Sequence, residues 1–379
     1  ERKVTNIYSP GTLINNINSA DSNFLMSVYI EHCQNINNLK NNMLVGISVI
    51  DISTGKNIIY ETYSKTDDKN IALDEIYRSI QIHNPAEIIF TYDKLPNLLT
   101  KTDFIKFLEI ECKKCHFNND INKNYKKHTY QSQFLNQIFP KTGMLSVIEY
   151  LDLEFMQTGL ISYIVLLNFA YKHNETIINK INKPEIWDSD KYLILTNNSI
   201  HQLDLVSAKD NINKNSSLFG IINNTSTALG KRLLKEHLLN PIKDITTLNK
   251  RYEYIEELLT KDNNCYLYEI IENDLSMIKD LERIHRHITL NILEPYQFHS
   301  LDIAYTQVLK IIEYICNNCD IICELIPSQN NIVKFHDFIN EYRKDFNLDI
   351  ITNYGLNNIT NSFFNNEREP NIDKIQNQL

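Results

Sequence analysis

The sequence predicts a multidomain α+β protein in which an α/β domain is followed by an all-α domain. Three observations carry this. β-branched and aromatic runs crowd into residues 24–63 and 87–92, whereas from about Tyr130 onward apolar residues recur at three- and four-residue spacing. Gly and Pro are scarce, 8 and 9 among 379 residues, which favours long helices over turn-rich β structure. The apolar share of 42% over this length supports two or three domains with sizeable cores.

Residues 24–31 (FLMSVYIE), 43–52 (MLVGISVIDI) and 57–63 (NIIYETY) read as strands, with Ser53-Thr54-Gly55-Lys56 as a tight hairpin between the second and third. A helix follows, with Leu73, Ile76, Tyr77 and Ile80 on one face, and it ends at Asn84-Pro85. Glu87 to Tyr92 is then a short buried strand. A three-strand meander, a helix and a strand form the opening of an RNase H-like α/β fold. Phe155 to Lys172 reads as a long apolar helix that closes this domain, and Tyr192 to Leu195 as a short extended stretch.

The segment from Ser217 to Leu259 is the most ordered in its signals. A Gly-interrupted apolar run (Leu218, Phe219, Gly220, Ile221, Ile222) meets a polar turn, Asn223 to Ser226. A helix should follow with Ser226 or Thr227 as N-cap and Leu229, Leu233, Leu234 and Leu238 on one stripe. Pro241 ends it, and Asp244 can cap a second helix whose buried stripe is expected to be Leu248, Tyr252, Ile255 and Leu259. Next come a helix carrying Leu275, Ile278, Leu281, Ile284 and Ile288, and one opening at Pro295 with Leu301, Ala304, Val308, Ile311 and Ile315.

This order of residues resembles the lever (core) domain of MutS-type DNA mismatch-repair proteins. There a leucine-rich run and a short turn precede a T-x-x-G-x-R-L-L helix, an N/Q-P-[LI] break and a second amphipathic helix. Thr227, Gly230, Arg232, Leu233, Leu234, Pro241 and Ile242 match. Four further motifs stand in the family's order. Tyr8-Ser9-Pro10-Gly11-Thr12 resembles the T-P-G-T joining the mismatch-binding domain to the next one. Asp51-Ile52-Ser53-Thr54-Gly55 and Asn84-Pro85-Ala86-Glu87-Ile88 resemble motifs of the connector domain. Lys279-Asp280-Leu281-Glu282-Arg283 resembles the D-L-E-R of the lever. Ala228-Leu229 stands where the family usually has Pro-Met, and Asn223-Asn224 replaces a more charged pair, which marks a divergent branch.

The resemblance implies an organisation. Residues 1–11 would be the link from a mismatch-binding domain that precedes residue 1 and holds the Phe-x-Glu wedge. Residues 12–183 would be an RNase H-like connector, 184–370 the helical lever, and 371–379 (Asn371 to Leu379) the start of the clamp. The whole protein would be a dimer, with itself or a MutS paralogue, that binds mismatched DNA and changes state with ATP. The connector would meet a MutL-type partner. ATP and Mg²⁺ would sit in an ATPase domain outside this segment. The family signature comprises Asp51, Gly55, Pro85, Phe219, Gly220, Thr227, Gly230, Arg232, Leu233, Pro241, Asp280 and Arg283, with structural roles and no catalytic, cofactor or metal ligand among them.

Composition sets further bounds. Net charge is −9 and the sequence pI about 5.7, and Lys123 to Lys127 (KNYKK) is the densest basic cluster, read as a solvated loop. A main DNA-gripping surface would carry a basic patch, so the principal DNA contacts are expected elsewhere. Seven cysteines in a large chain without a targeting segment read as reduced intracellular thiols. No apolar run is long enough to span a bilayer. The chain opens on ERKVTNIY, without Met, and is expected to begin inside a longer protein. Heavy use of Asn, Ile and Lys fits an AT-rich viral, organellar or parasite genome, and leaves the compartment open.

The chemistry-bearing candidates are few. A phosphate loop needs G-x-x-x-x-G-K-[ST]. The Gly-Lys pairs are Gly55-Lys56 and Gly230-Lys231, with Ile50 or Thr225 where the first glycine belongs and Asn57 or Arg232 where the hydroxyl belongs. Neither qualifies. Asp51 ends a strand where RNase H nucleases hold a Mg²⁺-binding carboxylate, with Glu61, Asp74, Glu75 and Asp93 as acids nearby in sequence. The competing role for Asp51 is a cap on the hairpin turn. Cys112-x-x-Cys115-His116 has the form of a haem attachment or half a zinc site, and Cys316-x-x-Cys319-x-x-x-Cys323 could supply the other half. At i, i+3 and i+7, the latter three equally mark one face of a helix around Ile311 to Ile322. His285 and His287 are two apart on a helix, point to different faces and should make interhelix polar contacts. Trp187 should pack at the connector–lever boundary. Two readings compete with the resemblance: an RNase H-like nuclease using Asp51, and a MutS-like scaffold without an ATPase.

Overall fold

The computed structural model describes residues 7–14, 21–33, 42–64, 70–92, 100–119, 121–195, 199–207, 214–262, 265–352, 362–365 and 370–376. It is a mixed α/β structure that divides into two units. The first comprises Glu1–Asn223 and Arg232–Ile242, the second Asn224–Lys231 and Lys243–Leu379.

The first unit is built on strands β1 (Phe24–Cys33), β2 (Asn42–Asp51), β3 (Asn57–Tyr63), β4 (Glu87–Tyr92), β5 (Lys114–Asn118) and β6 (Glu185–Ile186). Its helices are α1 (Ile71–His83), α2 (Lys101–Phe107), α3 (His128–Ile138), α4 (Val147–Tyr150), α5 (Gln157–His173), α6 (Ser199–Gln202) and α7 (Leu218–Ile222). The sheet order is β5-β4-β1-β2-β3-β6. β1, β2 and β3 form the expected antiparallel meander, and β4, β5 and β6 join it in parallel. β5 and the two-residue edge strand β6 were not legible in the sequence. β5 is short and carries Lys114 and His116, so it lacks an apolar signature.

Strand alternation gives the sheet two apolar faces. Met26, Val28, Ile30, Val45, Ile47, Val49, Ile88 and Phe90 pack with Leu73, Ile76, Tyr77 and Ile80 of α1 and Phe104 of α2. Leu25, Ile50, Ile59 and Ile89 pack with Tyr163, Ile164 and Leu167 of α5 and Leu135 of α3. α1 ends on Asn84 in the left-handed region (φ 43°), whose N–H donates to the Ile80 carbonyl, and Pro85 prevents any continuation.

α5 lies close on β2 because Gly46 has no side chain: a Cβ there would stand 2.0 Å from the Thr158 carbonyl oxygen. The first turn of α5 is held by the Glu61 carboxylate, which accepts from the Thr158 and Gly159 N–H groups at 2.8 and 3.0 Å. A buried polar seam continues the contact. Ser162 Oγ donates to the Ser27 carbonyl (2.9 Å) and lies 2.9 Å from Ser48 Oγ, and Tyr163 Oη donates to Asn57 Oδ1 at 2.9 Å. The Lys123–Lys126 segment, expected as a loop, is a 3-10 turn. Tyr125 anchors it against the core, and Lys126 reaches Glu31 at 3.1 Å.

Helix α8 (Ala228–Leu239) is divided between the units, its first turn grouping with the second and the remainder with the first. The second unit then holds α9 (Ile245–Leu258), a short ladder of β7 (Lys261–Asp262) and β8 (Cys265–Tyr266), α10 (Leu267–Ser276), α11 (Leu281–Thr289), α12 (Pro295–Asn318), α13 (Gln329–Asp345), α14 (Leu348–Ile351) and α15 (Pro370–Gln376). α12 serves two cores. Its carboxyl end packs Ile311, Tyr314 and Ile315 with Leu267 and Ile271 of α10; its amino end packs Leu301 and Tyr305 with Ile284 of α11 and Ile339 and Tyr342 of α13. Asp302 fastens α12 to α13: Arg343 donates to both its carboxylate oxygens, at 2.7 and 3.0 Å, and Tyr342 Oη to one at 2.7 Å. No helix among the described residues is long and apolar enough to cross a membrane.

Three expectations are corrected here. The single helix expected over Leu275 to Ile288 is two, because Asp280 interrupts it and its side chain accepts from the Arg283 N–H at the start of α11. The helix expected to run to Ile322 ends at Asn318, and Cys319 is extended (φ −127°, ψ 129°). The α9 stripe is the third. Tyr252, Ile255 and Leu259 are exposed, and Tyr254 and Leu258 face the core instead. Both sets have helical spacing, so periodicity alone could not choose between them.

Replacing Gly46 with Ala should force β2 and α5 apart and destabilise the first unit by about 3 kcal/mol, the upper range for overpacking a dense core. Urea unfolding followed by the single Trp187 checks this, with a lowered midpoint expected.

Candidate functional site: the motif clusters

Three of the motifs converge at one end of the sheet. Glu87 opens β4 with its side chain fully buried, and its carboxylate is surrounded by donors. Ser9 Oγ and the Gly11 N–H (3.1 Å) donate to Oε2, while His116 Nε2 lies 2.6 Å and Lys114 Nζ 3.3 Å from Oε1. Burial opposes the charged form, and the donors from Ser9, His116, Gly11 and Lys114 outweigh it, so the carboxyl titrates below its ordinary value. Gly11 is required for this approach: a Cβ would meet Leu25 Cδ1 at 2.9 Å and Glu87 Cβ at 3.1 Å. The Ser9–Thr12 turn and the strand after Pro85 are therefore one packed joint. A charged residue opening an otherwise apolar run was the available signal, because such a residue must find partners.

Asp51 sits beside this joint and caps the hairpin. Its Oδ1 accepts from the Ser53 N–H (2.9 Å) and Ser53 Oγ (2.6 Å), and its Oδ2 from the Asn23 N–H at 3.3 Å. The Asn23 side chain in turn donates to the Pro10 and Leu13 carbonyls. Gly55 takes φ +82°, which closes the turn back to the Asp51 carbonyl at 2.7 Å. Of the other acids, Glu61 is engaged at α5, Glu75 pairs with Arg78 at 2.7 Å, and Asp93 lies outside the described residues. Among the described residues no group of three His, Cys, Asp or Glu side chains is placed to share a metal. Cys115 packs into the β4–β5 core, which pushes its thiol up to about 11, while its neighbour His116 turns to Glu87 and Cys112 is exposed. The Cys112, Cys115 and His116 side chains thus do not converge.

The signature segment is a succession of caps. Ser217 Oγ accepts from the Gly220 N–H at 3.1 Å and starts α7, which carries Phe219. Thr227 Oγ1 accepts from the Gly230 N–H at 3.0 Å and starts α8; a Cβ on Gly230 would stand 3.1 Å from that oxygen. Arg232 is half-buried and Leu233 exposed on α8. The Pro241 carbonyl accepts from the Leu193 N–H at 2.7 Å, and Tyr192 bridges Ile242. The Asp244 carboxylate then takes the Thr246 and Thr247 N–H groups at 3.3 and 3.0 Å. Within the first unit, Lys56 of the Asp51 hairpin pairs with Glu236 of α8 at 2.9 Å, and Leu239 packs with Ile200 and Leu205. In the second unit Arg283 stands 3.6 Å from Asp280. His285 meets Tyr305 Oη at 2.7 Å and His287 meets Gln297 Oε1 at 3.2 Å, both interhelix contacts. Trp187 stacks on Tyr192 at 4.6 Å and lies edge-on to His83.

The motif residues thus hold turns, caps and closely packed backbones, the signature of a chain whose landmarks are structural joints. Comparison with known proteins specifies which. Residues 198–358 match the family model of MutS domain III. A putative DNA mismatch repair protein mutS homolog of Acanthamoeba polyphaga mimivirus is 32% identical over 405 residues, covering 100% of this chain and 35% of its own length. A DNA mismatch repair protein MutS of Caldanaerobacter subterraneus is 30% identical over 317 residues, 82% of this chain and 32% of its own. A mitochondrial DNA mismatch repair protein mutS homolog of Sarcophyton glaucum is 31% identical over 222 residues, 56% of this chain and 21% of its own. The chain belongs to the MutS family. It spans about a third of the length of the first two of these relatives.

Two outcomes test these joints. Because the Glu87 carboxyl is held below its ordinary value of 4.5, protonating it costs the folded state. Its contribution is complete above that value and is lost as pH falls from it through the lower folded one. Glu87→Gln should therefore cost about 2 kcal/mol at neutral pH and flatten the acid limb of a stability–pH curve measured by urea unfolding. Thr227→Ala should cost about 1 kcal/mol through loss of the α8 cap, and Thr227→Ser should restore most of it in the same assay.

Proposed function

We propose that this chain is the connector and lever portion of a MutS-type mismatch-repair protein. Residues 12–183 serve as an RNase H-like connector, 184–370 as the lever, 1–11 as the link from a mismatch-binding domain and 371–379 as the beginning of the clamp. The full-length protein binds mismatched DNA under the control of ATP and Mg²⁺ held in an ATPase domain outside this segment. It does so as a dimer with itself or a paralogue, with a MutL-type protein meeting the connector. In this reading the segment performs no reaction and relays a conformational change between the ATPase and DNA-clamp ends.

One observation carries the relay. The chain passes between the two units at Asn223–Asn224, Lys231–Arg232 and Ile242–Lys243, all within the signature segment. The first passage lies in the polar turn, the second inside α8 and the third just past Pro241. A continuous helix flanked by two breaks is suited to carry a rotation; the Thr227 cap starts it, it ends at Leu239 before Pro241, and the Asp244 cap starts the next helix. Such coupling requires an element with two arrangements that both distant sites bias. The nuclease reading finds less support, since both Asp51 oxygens are occupied by the hairpin and Asn23.

Inserting two glycines between Asn223 and Asn224 of the full-length protein should leave mismatch binding intact and uncouple it from nucleotide. The expected result is a duplex with a mismatch retained at unchanged affinity, and ATP-triggered release slowed at least tenfold. Unchanged release kinetics would remove the relay from this segment.

A further inference from the structure

Cys316 and Cys323 are not used by any contact that the proposed function invokes. Cys316 is exposed on the last turn of α12, and Cys323 is half-buried in the 3-10 turn Ile322–Leu325 that follows. Their sulfurs are 3.8 Å apart, with the Cys323 thiol donating to Cys316 Sγ. This proximity is imposed from outside the pair. The Glu257 carboxylate of α9 accepts from three successive N–H groups, Asp320 (2.6 Å), Ile321 (2.9 Å) and Ile322 (2.7 Å). That clamp folds the chain back after Cys319 and sets Cys323 over the end of α12. The intervening Cys319 is buried among Leu267, Ile271, Ile315 and Ile322, out of reach of a dissolved oxidant.

We propose that Cys316 and Cys323 form a thiol pair that closes to an intramolecular disulfide when it meets a small-molecule disulfide oxidant. The Cys316 thiolate attacks one sulfur of the oxidant, breaking its S–S bond and releasing one thiolate, which takes up a proton. Cys323, deprotonated, attacks the Cys316 sulfur of the resulting mixed disulfide and expels the second thiol. Two protein thiols are oxidised, one oxidant disulfide is reduced to two thiols, and no other reactant is needed. Side-chain rotation brings the sulfurs to a bond of about 2.05 Å. In a compartment that keeps thiols reduced, a close pair with one exposed member is the arrangement that responds to a change in poise. The bond would tie the α12 end to the same turn that Glu257 holds on α9.

The test is to treat the folded 379-residue chain with oxidised glutathione, block free thiols, digest and map by mass. The expected product is a peptide bridged between Cys316 and Cys323, two hydrogens lighter, reversed by dithiothreitol. It should be absent in Cys316→Ser and Cys323→Ser and retained in Cys319→Ser. Hydrogen exchange at the Asp320–Ile322 amides should slow severalfold in the oxidised form. A stable glutathione adduct on Cys316, a bridge to Cys319, a bridge to a second chain, or no oxidation of the pair would each overturn the proposal.

Discussion

The buried carboxylate of Glu87 is the constraint on which the α/β unit is organised. A charge with no solvent must be surrounded by donors, and here they come from two separate places in the chain: Ser9 and Gly11 of the amino-terminal turn, and Lys114 and His116 of β5. Satisfying it fixes the course of the amino-terminal turn, the start of β4 and the register of β5 together. Asp51, two strands away, answers the same need at the hairpin and is joined to the first cluster through Asn23. The motifs that sequence comparison treats as separate are thus one hydrogen-bonded end of a sheet.

The same economy appears wherever backbones come close. Glu61 closes the amino end of α5, Glu257 gathers the turn after α12, and Asp244 and Asp280 start α9 and α11. In each case a carboxylate meets N–H groups left without partners at a turn or helix end. In this acidic chain these four carboxylates each hold a turn or a helix end.

The signature segment joins these themes to the proposed relay. Lys56 of the Asp51 hairpin and Glu236 of α8 tie the sheet to the carboxyl part of the helix, while the Thr227 cap defines its other end. Gly230 keeps space beside that cap, and Pro241 releases the chain into a contact with Leu193 before α9 begins. These residues were legible in the sequence as turn and helix signals because capping and proline act through local backbone geometry.

Much of the fold was legible for the same reason. The meander, α1, α5, the Asp244 cap and the Pro295 start each depend on residues within a few positions of one another, so alternation, spacing and cap chemistry reveal them. The sequence also exposed the failure of both Gly-Lys pairs as phosphate loops. Only the tertiary structure decided which face of α9 is buried, since Tyr254 and Leu258 are as well spaced as Tyr252 and Ile255 and the choice is made by α10 and α12. It likewise ended α12 at Asn318, through a Glu257 carboxylate far away in the chain, and so turned three cysteines of an expected helical face into a buried residue and a close pair of thiols. Local preference is written in neighbouring residues; the partner that settles a buried charge or an apolar face is written elsewhere, and only folding brings it near.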